Sequence, residues 1–142
     1  MLHKILVAYD GSKGSTKALT VGSYLAQQCA AELHSITIEE QLPQHRAPVV
    51  GGELRTDPKA TEYSRIEAIR SGSIAHSFGV PLTQHVLKGH PAQSIVEFAE
   101  KYRFDLLVVG LTGHSRIFGQ NTWGSTSQSL TALAPCSVLV VK

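Results

Sequence analysis

The chain has 142 residues, 42% hydrophobic and 17% charged, with a formal net charge of +2. That length suits one ordinary domain over residues 1–142 with room for a core. The charge is too small, and Lys and Arg too scattered, to build a nucleic-acid surface. No apolar run reaches the length of a membrane helix. Met1–Ala8 has no small-residue cleavage pattern and reads as a first strand rather than an export signal. The expectation is a cytoplasmic chain whose two cysteines, Cys29 and Cys136, are reduced core residues, because they fit no metal or redox spacing.

Lys4–Tyr9 is a continuous apolar run, the pattern of a parallel strand covered on both faces. It stops at Asp10-Gly-Ser12, a turn composition. A helix is expected from about Lys13 to Ala31, with Ala18, Leu19, Gly22, Leu25, Ala26 and Cys29 on its inner stripe and Ser12 or Ser15 as its cap. Glu32–Glu39 is rich in β-branched residues and reads as the second strand. Glu40–Pro58 is a polar loop of about 18 residues, longer than most connections in compact domains. A second helix follows from Lys59 to about Gly79, with a looser stripe of Tyr63, Ile66, Ile69 or Arg70, and Ile74. Val80–Leu87 alternates, and Pro81 places it at a sheet edge. Pro91 opens a third helix, with Ala92, Ile95, Val96, Ala99 and Tyr102 inward. Asp105–Val109 is the fourth strand, Ser125–Ala134 a short helix and Ser137–Val141 the fifth strand. This β-α-β-α-β-α-β-α-β order predicts an α/β fold, a five-stranded parallel sheet with helices on both faces.

Ligands of such sheets bind beyond the strand carboxyl ends, at the switch point of strand order. Asp10-Gly-Ser12, the Ile38-Glu39 region and the loop after Val109 all sit at strand carboxyl ends, and if strands one and four are neighbours at the switch point, Asp10 faces the Gly110 loop across one crevice. That loop carries Gly110, Gly113, Gly119 and Gly124 and ends in Ser125-Thr-Ser127 at a helix start. Glycine permits close backbone approach, and a helix start offers free N–H groups and partial positive charge. The segment is therefore either a phosphate cradle or a glycine-rich surface loop. Asp10 is either an acceptor for ribose hydroxyls or an adenine amine, or a turn residue that caps the next helix. A P-loop lysine is missing, and no GxGxxG follows the first strand. The seven histidines show no i, i+4 pair on a helix, so no metal site is expected. No catalytic base or nucleophile stands out, and the sequence argues for binding over turnover.

Ile5-Leu-Val-Ala-Tyr-Asp-Gly-Ser12, Ala31-Glu-Leu33, Gly89-His-Pro91, Asp105-Leu-Leu-Val-Val-Gly110, Gly113-His-Ser-Arg-Ile, Gly124-Ser-Thr-Ser127 and Ala134-Pro-Cys-Ser-Val-Leu-Val-Val141 together carry a full-length resemblance to the universal stress protein family. The resemblance implies the Rossmann-like, adenine nucleotide alpha hydrolase-like fold, a homodimer paired through the last strand, and a cytoplasmic role in stress response or signalling. For the ATP-binding branch it implies a cofactor: ATP, or alternatively AMP or ADP, with Mg as accompanying ion and at most slow hydrolysis. By position, Asp10 would meet ribose or adenine, and Ile38 would offer its main chain to adenine. Val109, Gly110 and Gly113 would line the ribose and first phosphates, while Gly124, Ser125, Thr126 and Ser127 would meet the phosphates. Ala8 and Pro91 would supply apolar walls. The branch pattern has nine residues between its second and third glycines, whereas here ten, His114–Trp123, separate Gly113 from Gly124. The extra residue is either absorbed as a bulge or spoils the cradle. The alternative function is a dimeric interaction protein that binds no nucleotide.

Overall fold

The computed structural model describes residues 1–39, 58–111 and 124–142, with the side chains of 58–64 left aside. The elements alternate as β1 (Lys4–Ala8), α1 (Lys13–Cys29), β2 (Glu32–Glu39), α2 (Pro58–Ser77), β3 (Leu82–Lys88), α3 (Pro91–Lys101), β4 (Leu106–Gly110), α4 (Ser125–Leu133) and β5 (Ser137–Val141). The strands form one parallel sheet in the order β3-β2-β1-β4-β5. The order reverses between β1 and β4, so these two strands flank the switch point.

Period-two alternation sends each strand's side chains to two separate cores. Ile5, Val7, Tyr9, Leu33 and Val108 pack with Ala18, Leu19 and Ala26 of α1 and Ala75 of α2. Leu6, Ile36, Leu107 and Val109 pack with Ala92, Ile95 and Ala99 of α3 and Leu130 of α4. Both faces are covered, which is why β1 and β4 read as unbroken apolar runs. At the amino ends of the strands, the Asp105 carboxylate accepts the N–H groups of His3 and Lys4, both at 2.8 Å. These two donors hold its carboxyl below the ordinary carboxylate range.

Several expected details are corrected. Cys29 is exposed; it is the last residue of α1, and Ala30 turns the chain away at φ 53 before that end can pack. On α2, Ile66 and Ile69 are exposed, and the inner stripe is Ser71 and Ala75 with Ile74 beside them. The helix settles on small residues because it lies close to β3, where a Cβ on Gly72 would come within 3.4 Å of Gln84 Nε2. Tyr102 is half exposed because α3 ends at Lys101 and Tyr102 caps it. Pro58 belongs to α2, and Gly110 belongs to β4, where it lies in register with Val141.

Gly22 of α1 faces the sheet, and a Cβ there would stand 2.7 Å from Val7 Cγ2. Valine is stiff at χ1 and cannot swing aside cheaply. Gly22→Ala is therefore expected to destabilise the fold by about 1–3 kcal/mol through overpacking, despite alanine's helix preference of about 1 kcal/mol. Urea denaturation of the two proteins measures the difference, and an equal or higher midpoint for the variant would contradict the close α1–β1 contact.

Candidate functional site

The candidate site lies where β1 and β4 end side by side. After Ala8 the chain keeps one more sheet bond, the Tyr9 N–H to the Ile36 carbonyl at 3.0 Å, and then turns. Asp10 is exposed; its Oδ1 accepts the Ser12 N–H at 2.9 Å, and Gly11 adopts φ 80. Ser12 caps α1 by accepting the Ser15 N–H at 3.2 Å. Asp10 thus has the turn role open to it from sequence, at the exposed carboxyl end of β1.

Gly110 ends β4 against the first turn of α1. A Cβ on it would fall 2.5 Å from the carbonyl carbon of Gly14 and 2.7 Å from its oxygen. No side chain fits between these backbones, so glycine is required here by packing. The Ser127 hydroxyl donates to the Gly110 carbonyl at 2.6 Å, tying α4 to the end of β4. The Gly124 N–H donates to the Leu111 carbonyl at 2.8 Å, and the Leu111 N–H to the Val141 carbonyl at 2.9 Å. α4 starts after Gly124 with no side-chain cap, and its first internal bond is the Gln128 N–H to the Gly124 carbonyl. The N–H groups of Ser125, Thr126 and Ser127 precede that bond and have no acceptor within the helix. Ser125 is exposed, Thr126 half-buried and Ser127 buried.

Ala8, Ile38 and Val109 lie on the α3–α4 face of the sheet, in the same core as Ala92 at the start of α3. Pro91 is the first residue of that helix. Ile38 is two residues past the last β1–β2 pair, Ala8 with Ile36. Strand alternation turns its N–H and carbonyl toward the β1 side, as it does for Ile36. The structure therefore gathers Ala8, Asp10, Ile38, Val109, Gly110, Gly124, Ser125, Thr126 and Ser127 at one end of the sheet. Gly113, His114, Arg116, Gly119 and Trp123 lie outside the described residues, as does the segment 40–57. Among the described residues no three His, Cys, Asp or Glu side chains gather around a possible metal position. Nor is any described helix long and apolar enough to cross a membrane.

Sequence reasoning missed two contacts. Gly14 carries no signal until β1 and β4 are known to be neighbours. Tyr9 donates its hydroxyl to Glu67 Oε2 of α2 at 2.7 Å. Burial first, and then Glu67 as acceptor and neighbouring charge, pushes the Tyr9 phenol far above its ordinary value. The pair borders a cleft under α2, lined also by Asp10, Ser35, Thr37, Ser71 and Gln84.

The description "Universal stress protein family" fits residues 1–142. A universal stress protein of Thermus aquaticus is 33% identical over 143 residues, covering 100% of both chains. One from Methanocaldococcus jannaschii is 32% identical over 142 residues, covering 100% of this chain and 83% of that one. This chain belongs to the universal stress protein family. Among solved structures, hypothetical protein MJ0577 superposes with a TM-score of 0.84 at 22% identity, covering 100% of this chain and 96% of that one. A universal stress protein in complex with cAMP gives 0.73 at 23% identity, covering 99% and 97%. One from Archaeoglobus fulgidus in complex with dAMP gives 0.71 at 17% identity, covering 100% and 98%.

Two substitutions separate the two ties at β4. Gly110→Ala drives a methyl into the Gly14 backbone and is expected to cost about 1–3 kcal/mol. Ser127→Ala removes one hydrogen bond and is expected to cost about 1 kcal/mol. Chemical denaturation of both variants checks the ranking, and a harmless Gly110→Ala would remove the packing argument.

Proposed function

We propose that this chain binds an adenine nucleotide, ATP in the first place, in the crevice between the ends of β1 and β4, and acts through its bound state in stress response or signalling. The observation that carries the reading is the uncapped start of α4, held at the end of β4 beside Asp10. Its first N–H groups, which have no acceptor within the helix, and its dipole favour an anion. In this reading Asp10 takes ribose or adenine and the Ile38 main chain faces the base. Ala8, Val109 and Pro91 form apolar walls, and Gly110 and Gly113 line the first phosphates. Gly124, Ser125 and Thr126 receive the outer phosphates, with Mg accompanying them, while Ser127 positions α4. The cAMP and dAMP complexes of related folds support the nucleotide class. AMP and ADP are the alternative ligands. Hydrolysis of the bound nucleotide is proposed to be slow at most. The ten-residue interval between Gly113 and Gly124 favours the second reading, an interaction protein without nucleotide.

Ser125→Asp tests the site against the fold. A carboxylate in the first turn of α4 stabilises the helix by about 0.3–1 kcal/mol. The same charge facing a phosphate about 4 Å away costs from about 1 kcal/mol to several. ATP affinity, measured by calorimetry on nucleotide-free protein, is expected to fall about tenfold or more with the melting temperature unchanged or higher. Unchanged affinity removes α4 from the site, and no ATP or AMP binding to the wild type turns the reading to the interaction protein.

We also propose a cytoplasmic homodimer paired through β5. This strand is a sheet edge, and Ser137–Val141 carries no charge. The other edge, β3, is blunted by Pro81 and Lys88. Sedimentation equilibrium is expected to give twice the chain mass, and a monomer at micromolar concentration would reject this pairing.

A further inference from the structure

His34 of β2 and His85 of β3 lie on the α3–α4 face of the sheet, His85 in register with Ile36. His34 Nδ1 and His85 Nε2 are 3.0 Å apart although the residues are 51 apart in sequence. Their ring planes differ by 6°. The Phe104 edge meets His34 at 5.0 Å between centroids, and Phe98 leans on His85 at 4.7 Å. The other nitrogen of His34, Nε2, is 3.3 Å from Glu32 Oε2. A carboxylate only accepts, so with both rings neutral His34 carries its proton on Nε2 and its bare Nδ1 accepts the His85 Nε2–H.

This arrangement counts protons. A first added proton leaves the contact intact: a charged His34, beside Glu32, donates from Nδ1 to His85 Nε2 once the His85 proton resides on Nδ1. A second proton turns both facing nitrogens into donors, and two positive charges then stand within 3 Å of one another. We infer that the His34–His85 pair is an acid-opened latch between β2 and the edge strand β3, closed with zero or one bound proton and open with two. The surrounding charges are Lys4 of β1, whose Nζ lies 4.7 Å over the Phe104 ring and donates to the Tyr102 carbonyl; Glu32 of β2; Lys101 of α3 over the Tyr102 ring; and Asp105 before β4, engaged with His3 and Lys4. Burial first, then His34, then Lys4 lower the His85 pKa from its ordinary value. The folded chain therefore binds fewer protons here than the unfolded chain as the pH falls below that value. The stability contributed by the closed pair is present above the ordinary histidine value and is lost on acidification through the lowered one. β3 responds because it pairs with β2 alone, from Leu82 with Leu33 to Lys88 with Glu39.

Imidazole ¹⁵N NMR of the wild type on acidification is the first test. The expected result is two coupled steps shared by His34 and His85, with hydrogen exchange of β3 amides, corrected for intrinsic rates, speeding up at the second. The second test compares the unfolding constant against pH for the wild type and His85→Gln. The wild type is expected to rise more steeply on acidification, by up to about tenfold per pH unit for each extra proton bound on unfolding. Independent single-step titrations, or parallel pH curves for the two proteins, overturn the latch. Should His85→Gln not fold, His34→Gln provides the comparison and the wild-type spectra decide alone.

Discussion

The closest backbone approach at the switch point, Gly110 of β4 on Gly14 of α1, governs what the sheet's carboxyl end can be. A strand can end this near the backbone of a helix start only if its own residue lacks a side chain. Gly110 does, and it pairs in register with Val141 of β5 and leaves its carbonyl for the Ser127 hydroxyl. That bond sets the start of α4 at the tip of β4. β1, on the other side of β4, delivers Asp10 to the same place. The arrangement at this end of the sheet follows from three contacts: two neighbouring strand ends, one glycine on a helix backbone and one serine hydroxyl on a strand carbonyl.

The two faces of the sheet are used differently. On the α1–α2 face polar groups are mutually engaged: Tyr9 with Glu67, the Thr37 hydroxyl with the Tyr9 carbonyl at 2.8 Å, and Gln84 with the Ala68 carbonyl at 2.9 Å. The first and the last of these bonds hold α2 against the sheet. On the α3–α4 face the crevice end is apolar, with Ala8, Ile38, Leu87 and Val109 sharing one core. A flat, partly apolar base would be desolvated there at little cost, while charged phosphates would face the start of α4.

The strands were legible because doubly covered parallel strands must be apolar on both faces, and Lys4–Ala8 and Leu106–Val109 have no polar interior position. Burial on α2 was not legible. Its isoleucines advertise a stripe, but close approach to β3 selects Ser71 and Ala75, and Ile66 and Ile69 turn outward. Cys29 and Tyr102 were misplaced because helix ends overhang the layer they would pack on, which periodicity cannot anticipate. At the site, Asp10 and the run Gly124–Ser127 were legible as turn chemistry at strand ends. Gly14 and the pair of His34 with His85 were not, since each depends on which strands are neighbours and in what register.

That register also divides the hydroxyl run Ser125-Thr-Ser127 in a way composition cannot. Three consecutive hydroxyls at a helix start look equivalent in sequence. In the folded chain Ser127 is buried and donates to the Gly110 carbonyl, whereas Ser125 is exposed. A hydroxyl has one proton to give, so Ser127 in this geometry supports the site by fixing α4. Donation to an anion would fall to the helix N–H groups and to Ser125 and Thr126. The strength of the proposed phosphate site then depends less on the number of hydroxyls than on how firmly one of them anchors the helix to β4.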